Sequence, residues 1–424
     1  IDEQIPVTST GTTYYASPTG TGSGLTISTP FKISNFWSVA TPGSTLFLLD
    51  GVYTGANSMI DPPDNLSGTA GNPITVKAMN DGAVDINGQG LNKPVNLSYN
   101  NWFVLEGFDA YDSSGSVVSL AYSSNNIVRR VVAWKAPMNI GDNNIFGVHH
   151  GDNNLLEDVA GFGSGARKTF SNSQEGNNTT FRRAFARWEG SKMSGPKKPF
   201  ALAHNRYGAR CESCIGTWDS LGMPATYNLL EYNGTQVSPT QSFTNYTIQQ
   251  PSGIFGHDGF DQSFLDNGNP DNANIKILGS IAYLKPDQRF HNVTSPSRDW
   301  AGPFALEIKG VELENSVGII EPGSHTNIRN PYLGDVGGAG FNSATNNTFI
   351  SSAGASINSQ WSTSNNYTAS NCSAITSNGG NIVNNLGISG GATIMKRYVD
   401  GVLTNDDLWP WPMNQRIVEA MTTA

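Results

Sequence analysis

Apolar and polar positions alternate in short runs along this chain, and one such run recurs. It reads Asn100-Asn-Trp-Phe-Val-Leu-Glu-Gly-Phe-Asp-Ala-Tyr111, then from Asn125 to Trp134, Asn153 to Phe162, Asn178 to Trp188 and Asn205 to Trp218. Each copy opens on an Asn turn, passes through alternating apolar residues and a polar corner, and closes on an aromatic residue. The copies begin 25, 28, 25 and 27 residues apart. Alternation with a period of two predicts strands, and a repeat this short leaves no room for a helix pair. A chain that coils once per repeat, laying each strand under its counterpart, is a parallel β-helix. Equivalent residues then stand in columns ~4.8 Å apart. An Asn column can bond side-chain amides from coil to coil, while Asn also suits the left-handed turn itself.

The pattern predicts an all-β fold, a right-handed parallel β-helix with short capping helices at its N- and C-terminal ends. Residues 1–12 read as a polar N-terminal arm, 13–407 as the β-helix and 408–424 as a C-terminal cap. Between 221 and 271 Pro224, Pro239, Pro251 and Pro270 break the regularity, which predicts long loops. The final stretch places two prolines before a short amphipathic segment that would cover the open end of the solenoid.

The stretch after Thr13 reads Tyr14-Tyr-Ala-Ser-Pro18, then Pro30-Phe-Lys-Ile-Ser-Asn-Phe-Trp37, then Pro42-Gly-Ser-Thr-Leu-Phe-Leu-Leu-Asp-Gly-Val-Tyr53. It resembles the N-terminal module of secreted right-handed parallel β-helix proteins, the pectate-lyase-like superfamily. The resemblance implies the fold and a short helix over the first coil. It implies no single activity, since the members include polysaccharide lyases and glycosidases. Members that are lyases use Lys or Arg at their sites, often with Ca²⁺, so Ca²⁺ is the cofactor the resemblance brings with it; no metal ligand is assigned. No local motif carries a catalytic residue over.

Composition narrows the picture. Only 14% of residues are charged, with 47 Gly, a net charge of −9 and a pI near 5.1. This fits a secreted all-β protein and argues against general nucleic-acid binding. No apolar run reaches the ~20 residues of a membrane span, and Ile1 reads as a processed N-terminus. Cys211 and Cys214 are spaced as a local disulfide, a thiol pair or two core residues, with Cys372 elsewhere.

Three constellations could carry chemistry. Tyr111, Trp134, Phe162, Trp188, Trp218 and Tyr283 share a column, which either packs inward or forms an outward ladder for sugar rings. Arg167, Lys168, Arg182, Arg183, Arg187, Lys192, Lys197, Lys198, Arg206 and Arg210 gather ten of the 25 basic residues in one stretch. They create a field for an anionic partner or are balanced by Glu175, Glu189, Glu212 and Asp219. Tyr122, His150, Gln174 and His204 align on another strand of the same coils.

Together these residues predict an extracellular protein that binds an acidic polysaccharide or cell-surface glycan and cleaves it by β-elimination. Such a reaction needs a cation for the sugar carboxylate, a base for the carbon-bound proton and an acid for the leaving oxygen. The candidates for that chemistry are Lys168, His150, His204 and Arg182. Trp134, Trp188, Trp218, Arg183, Arg206 and Lys197 are the candidates for holding substrate. A competing expectation is a non-enzymatic surface or filament subunit, a homo-oligomer joined through residues 1–12 by strand addition.

Overall fold

A computed structural model of the 424-residue chain describes residues 11–139, 141–173, 176–191, 198–202 and 207–218, with shorter segments between 229 and 407. The described residues form a parallel β-helix. Each coil of the central region supplies three strands. The second full coil of the repeat, for example, uses Ile127–Arg129, Val132–Trp134 and Asn144–His149. First and second strands of successive coils build one 21-stranded sheet, and third strands build an 8-stranded sheet. Pairing within both is parallel, as at Ile127↔Leu155, Leu155↔Thr180 and Phe146↔Phe170. The C-terminal cap and most of 221–271 lie outside the described residues, as do residues 1–10. Gly11 and Thr12 already bond to the first rung, through Gly43 and Thr45.

The strands form where alternation lets one face close on the core. In the first strands the inward column runs Val76, Leu105, Val128, Leu156, Phe181, Cys211, Ile277 and Leu313, all buried. In the third strands Phe146, Phe170, Phe200, Phe255 and Phe304 stack at 4.7, 5.0, 4.7 and 5.3 Å between ring centroids. Facing them, the second strands present small residues: Ala110, Ala133, Gly161, Ala186, Gly216 and Ala282. Large residues are thus set against small ones across the interior, as close packing requires. A side chain at Gly216 would meet Ile254 at 2.3 Å and Phe200 at 3.2 Å.

Two bends shape each coil. At the entry to the first strand, Trp102, Asn125, Asn153 and Asn178 all adopt positive φ, between 55° and 59°, and Gly208 takes the same place at φ 78°. This corrects the repeat boundaries. The first copy registers from Trp102 rather than Asn100, and the fifth from Gly208 rather than Asn205. The expected Asn ladder exists on the outside, where Asn178 donates to Asn153 at 3.1 Å and Asn153 to Asn125 at 3.4 Å. A second ladder runs inside, from side chain to backbone. Asn154 Oδ1 accepts the Asn126 amide at 3.0 Å and Asn126 Oδ1 that of Phe103 at 2.8 Å.

The upper edge of the solenoid is closed by its own chain. The loop after the first strand folds back so that Phe31 exchanges backbone bonds with Tyr15 and Ser17. The short helix Ile33–Phe36 buries Ile33 and Phe36 beneath it. The loop thereby covers an edge that would otherwise template pairing with another chain.

Candidate functional site

The outward positions of the first strands carry charge in a fixed order. Down one column the register gives Lys77, Glu106, Arg129, Glu157, Arg182 and Glu212. Beside five of these the next residue also carries charge or bends the chain: Arg130, Asp158 and Arg183 stand at φ 55°, 52° and 48°, Gly107 at 83° and Ser213 at 54°. A straight strand would turn that next residue into the core. The left-handed bend instead leaves Arg130 and Arg183 partly exposed, while Asp158 is buried; successive coils carry the doublets Arg129-Arg130, Glu157-Asp158 and Arg182-Arg183.

The doublets neutralise one another across coils. Arg129 lies 2.9 Å from Glu106, and Arg182 lies 2.8 Å from Glu212 and 3.5 Å from Glu157. Arg183 holds Asp158 with two nitrogens at 2.6 and 2.9 Å. Arg130 contacts Asp81 at 2.5 Å. Burial disfavours the Arg130 cation, but the bond to Asp81 and the charges of Asp158 and Glu106 outweigh it and raise its pKa. The surface is thus a banded array rather than a uniformly basic groove. Arg182 keeps 37% of its side chain exposed.

The candidate residues separate over different sides of the coil. Arg182 and Arg183 sit in the banded array. Lys168 begins a third strand and is 2% exposed, with Nζ 3.5 Å from Asp142, which also receives Arg167 at 2.6 Å. His150 follows the far end of the equivalent third strand, which at ~3.3 Å per residue is roughly 20 Å along from the Lys168 position. There it stacks on Tyr122 at 4.6 Å, and Tyr122 on Tyr99 at 4.8 Å. No single groove therefore gathers Lys168, His150 and Arg182. His204, Arg206 and Lys197 lie outside the described residues.

The aromatic column also divides. Tyr111, Trp134 and Phe162 stack at 4.4 and 5.7 Å with nearly parallel planes, and the Arg187 guanidinium covers the next ring face at 5.5 Å. Trp134 has both faces covered by its neighbours and Phe162 is fully buried, so these three rings offer no ladder of open faces to sugar rings. Trp188 stands one residue past the column, 1% exposed, with its indole nitrogen donating to the Ala166 carbonyl at 2.9 Å. Alternation turns it inward, away from any substrate. Trp218 pairs in register with Trp188. The thiols of Cys211 and Cys214 are free and buried. Burial first, then the hydrogen bond and charge of Cys214, raises the Cys211 pKa.

Among the described residues no group of three or more His, Cys, Asp or Glu side chains could hold a metal ion. Glu157 and Asp158 are the adjacent carboxylates of the array, and Arg183 reaches both. Among the described residues this pair, already bound by Arg183, does not fit Ca²⁺. No helix among the described residues is long and apolar enough to cross a membrane.

Glu106, Arg129, Arg130, Glu157 and Asp158 were not singled out by the sequence pattern, and Glu212 entered only as a balancing charge. The signal was present as Arg-Arg, Glu-Asp and Arg-Arg dipeptides at one place in successive copies.

No protein-family model matches the chain, and no curated protein matches it. Among solved structures it is similar to the pectate lyase Pel9A, with TM-score 0.59 and 15% identity over 94% of this chain and 88% of that one. It is more distantly similar to an alginate lyase from Paenibacillus sp. str. FPU-7, with TM-score 0.44 and 12% identity over 85% and 99%. A likeness at such identity is one of fold: the chain is a parallel β-helix whose fold is similar to that of Pel9A.

Proposed function

We propose that this is an extracellular protein that binds an acidic polysaccharide along the outer face of its long sheet. The observation that carries the reading is the outward row of guanidinium groups at Arg129 and Arg182. Each directs two nitrogens at protein carboxylates. A guanidinium has five N–H donors, so donors remain for a ligand carboxylate. Cleavage by β-elimination needs a base and an acid within hydrogen-bond reach of the same sugar. Lys168 and His150 stand on other parts of the coil, so binding is the reading these residues support.

Calorimetric titration with pectate, alginate and glycosaminoglycan fragments at low salt tests it, with ultraviolet absorbance of unsaturated ends followed in parallel. Saturable binding that Arg182→Gln weakens about tenfold, or ~1.4 kcal/mol, is expected. Absence of binding to every acidic polymer would overturn the proposal. A second reading, a rigid surface or filament subunit, is favoured by the pairwise neutralisation of the array. Size exclusion and negative-stain microscopy with and without residues 1–12 decide it; monomers in both preparations would discard it.

A further inference from the structure

The order of charge on the long sheet carries information about the polymer that would lie on it. Down this one column, from Glu106 to Glu212, the sign alternates: acid, base, acid, base, acid; on the last coil Arg210 shares the outer face with Glu212 and pairs with it at 2.8 Å. The middle three coils show it as the doublets Arg129-Arg130, Glu157-Asp158 and Arg182-Arg183. Coils are ~4.8 Å apart, so like bands recur every ~9.6 Å. The bands run across the solenoid, and the alternation runs along it.

An extended pyranose chain advances per sugar by close to the ~4.8 Å rung spacing. Laid along the solenoid, it places successive sugars over successive bands. A polymer with a carboxylate on every sugar would bring one onto the Glu157-Asp158 band whenever its neighbours sat on arginine. A polymer with carboxylates on alternate sugars avoids this. Its acidic sugars meet Arg129 and Arg182, and the hydroxyls of its neutral sugars donate to Glu157 and Glu212.

We infer that the chain prefers a polysaccharide in which acidic and neutral sugars alternate over one in which every sugar is acidic. The inference rests on the binding proposed above and fixes its specificity. Nonspecific attraction to Arg would favour the homopolymer, which has twice the charge per length. The inference therefore predicts the reverse of the default.

The test compares oligosaccharides of equal length: hyaluronan fragments, in which uronate alternates with a neutral amino sugar, against oligogalacturonate and oligomannuronate. Calorimetry on the full chain should show hyaluronan bound at least about tenfold more tightly. Glu157→Gln keeps shape and removes one band charge; it should raise homopolymer affinity several-fold and narrow the preference. Glu212→Gln, on the next acidic band, should act in the same direction, which keeps the test open if the first variant folds poorly. Homopolymer bound as tightly as hyaluronan, with both variants unchanged in preference, would overturn the specificity while leaving polysaccharide binding intact. Binding of neither class would overturn both.

Discussion

The inner ladder of Asn side chains can be tested by removing one. Asn154 is 1% exposed, and its side chain serves two backbone groups: it accepts from the Asn126 amide at 3.0 Å and donates to the Ser123 carbonyl at 2.9 Å. Asn154→Ala leaves both groups buried without partners, at about 1–3 kcal/mol each. Asn153 is its neighbour on the outside, exposed, at φ 55° and in the outer ladder. Asn153→Gly loses two solvent-facing bonds and keeps the backbone unstrained, so its cost should stay below about 1 kcal/mol. Because a solenoid opens locally, the direct assay is hydrogen exchange at the Asn126 amide, with urea unfolding beside it. A loss of ~3 kcal/mol accelerates exchange roughly a hundredfold. Equal effects of the two substitutions would refute the claim that the inner column, not the outer, holds the coils in register.

Phe170→Ala removes a ring stacked between Phe146 and Phe200. It should cost about 3–5 kcal/mol, read from the unfolding midpoint; a loss under ~1 kcal/mol would contradict the packing. Cys211 and Cys214 should stay unlabelled by a thiol reagent in the native chain and react on denaturation, as peptide mapping would show. Burial, then Glu312, raises the Glu314 pKa. The folded state therefore holds that proton more tightly than the unfolded one, and falling pH through the window above the ordinary Glu range adds stability. Glu314→Gln should flatten that part of the profile of melting temperature against pH.

The winding was legible because the alternation of apolar residues recurs at nearly constant spacing, and Tyr111, Trp134 and Phe162 do share a column. Its boundaries were less so. Asn marks the left-handed entry in four coils, at Asn125, Asn153, Asn178 and Asn274, but Trp102 and Gly208 fill the same position elsewhere, and no rule of composition identifies Trp there. Matching the last aromatic residue of each copy placed Trp188 in the column, whereas one further residue along a strand reverses its face. The basic stretch was visible, but its meaning was not. Neutralisation of Arg182 by Glu157 and Glu212 acts between residues 25 and 30 apart in sequence, and only the register brings them together. Lys168 was expected at a surface, but it opens a third strand as a buried residue, with Nζ 3.5 Å from Asp142.

Arginine-selective footprinting read by mass spectrometry, with and without an acidic polysaccharide, tests the binding face most directly. Arg129 and Arg182 should be protected by the polymer, while Arg167, at the start of a third strand's coil position and paired with Asp142, should keep its reactivity. Protection of Arg167 with Arg129 and Arg182 unchanged would contradict the assignment of the binding face to the long sheet.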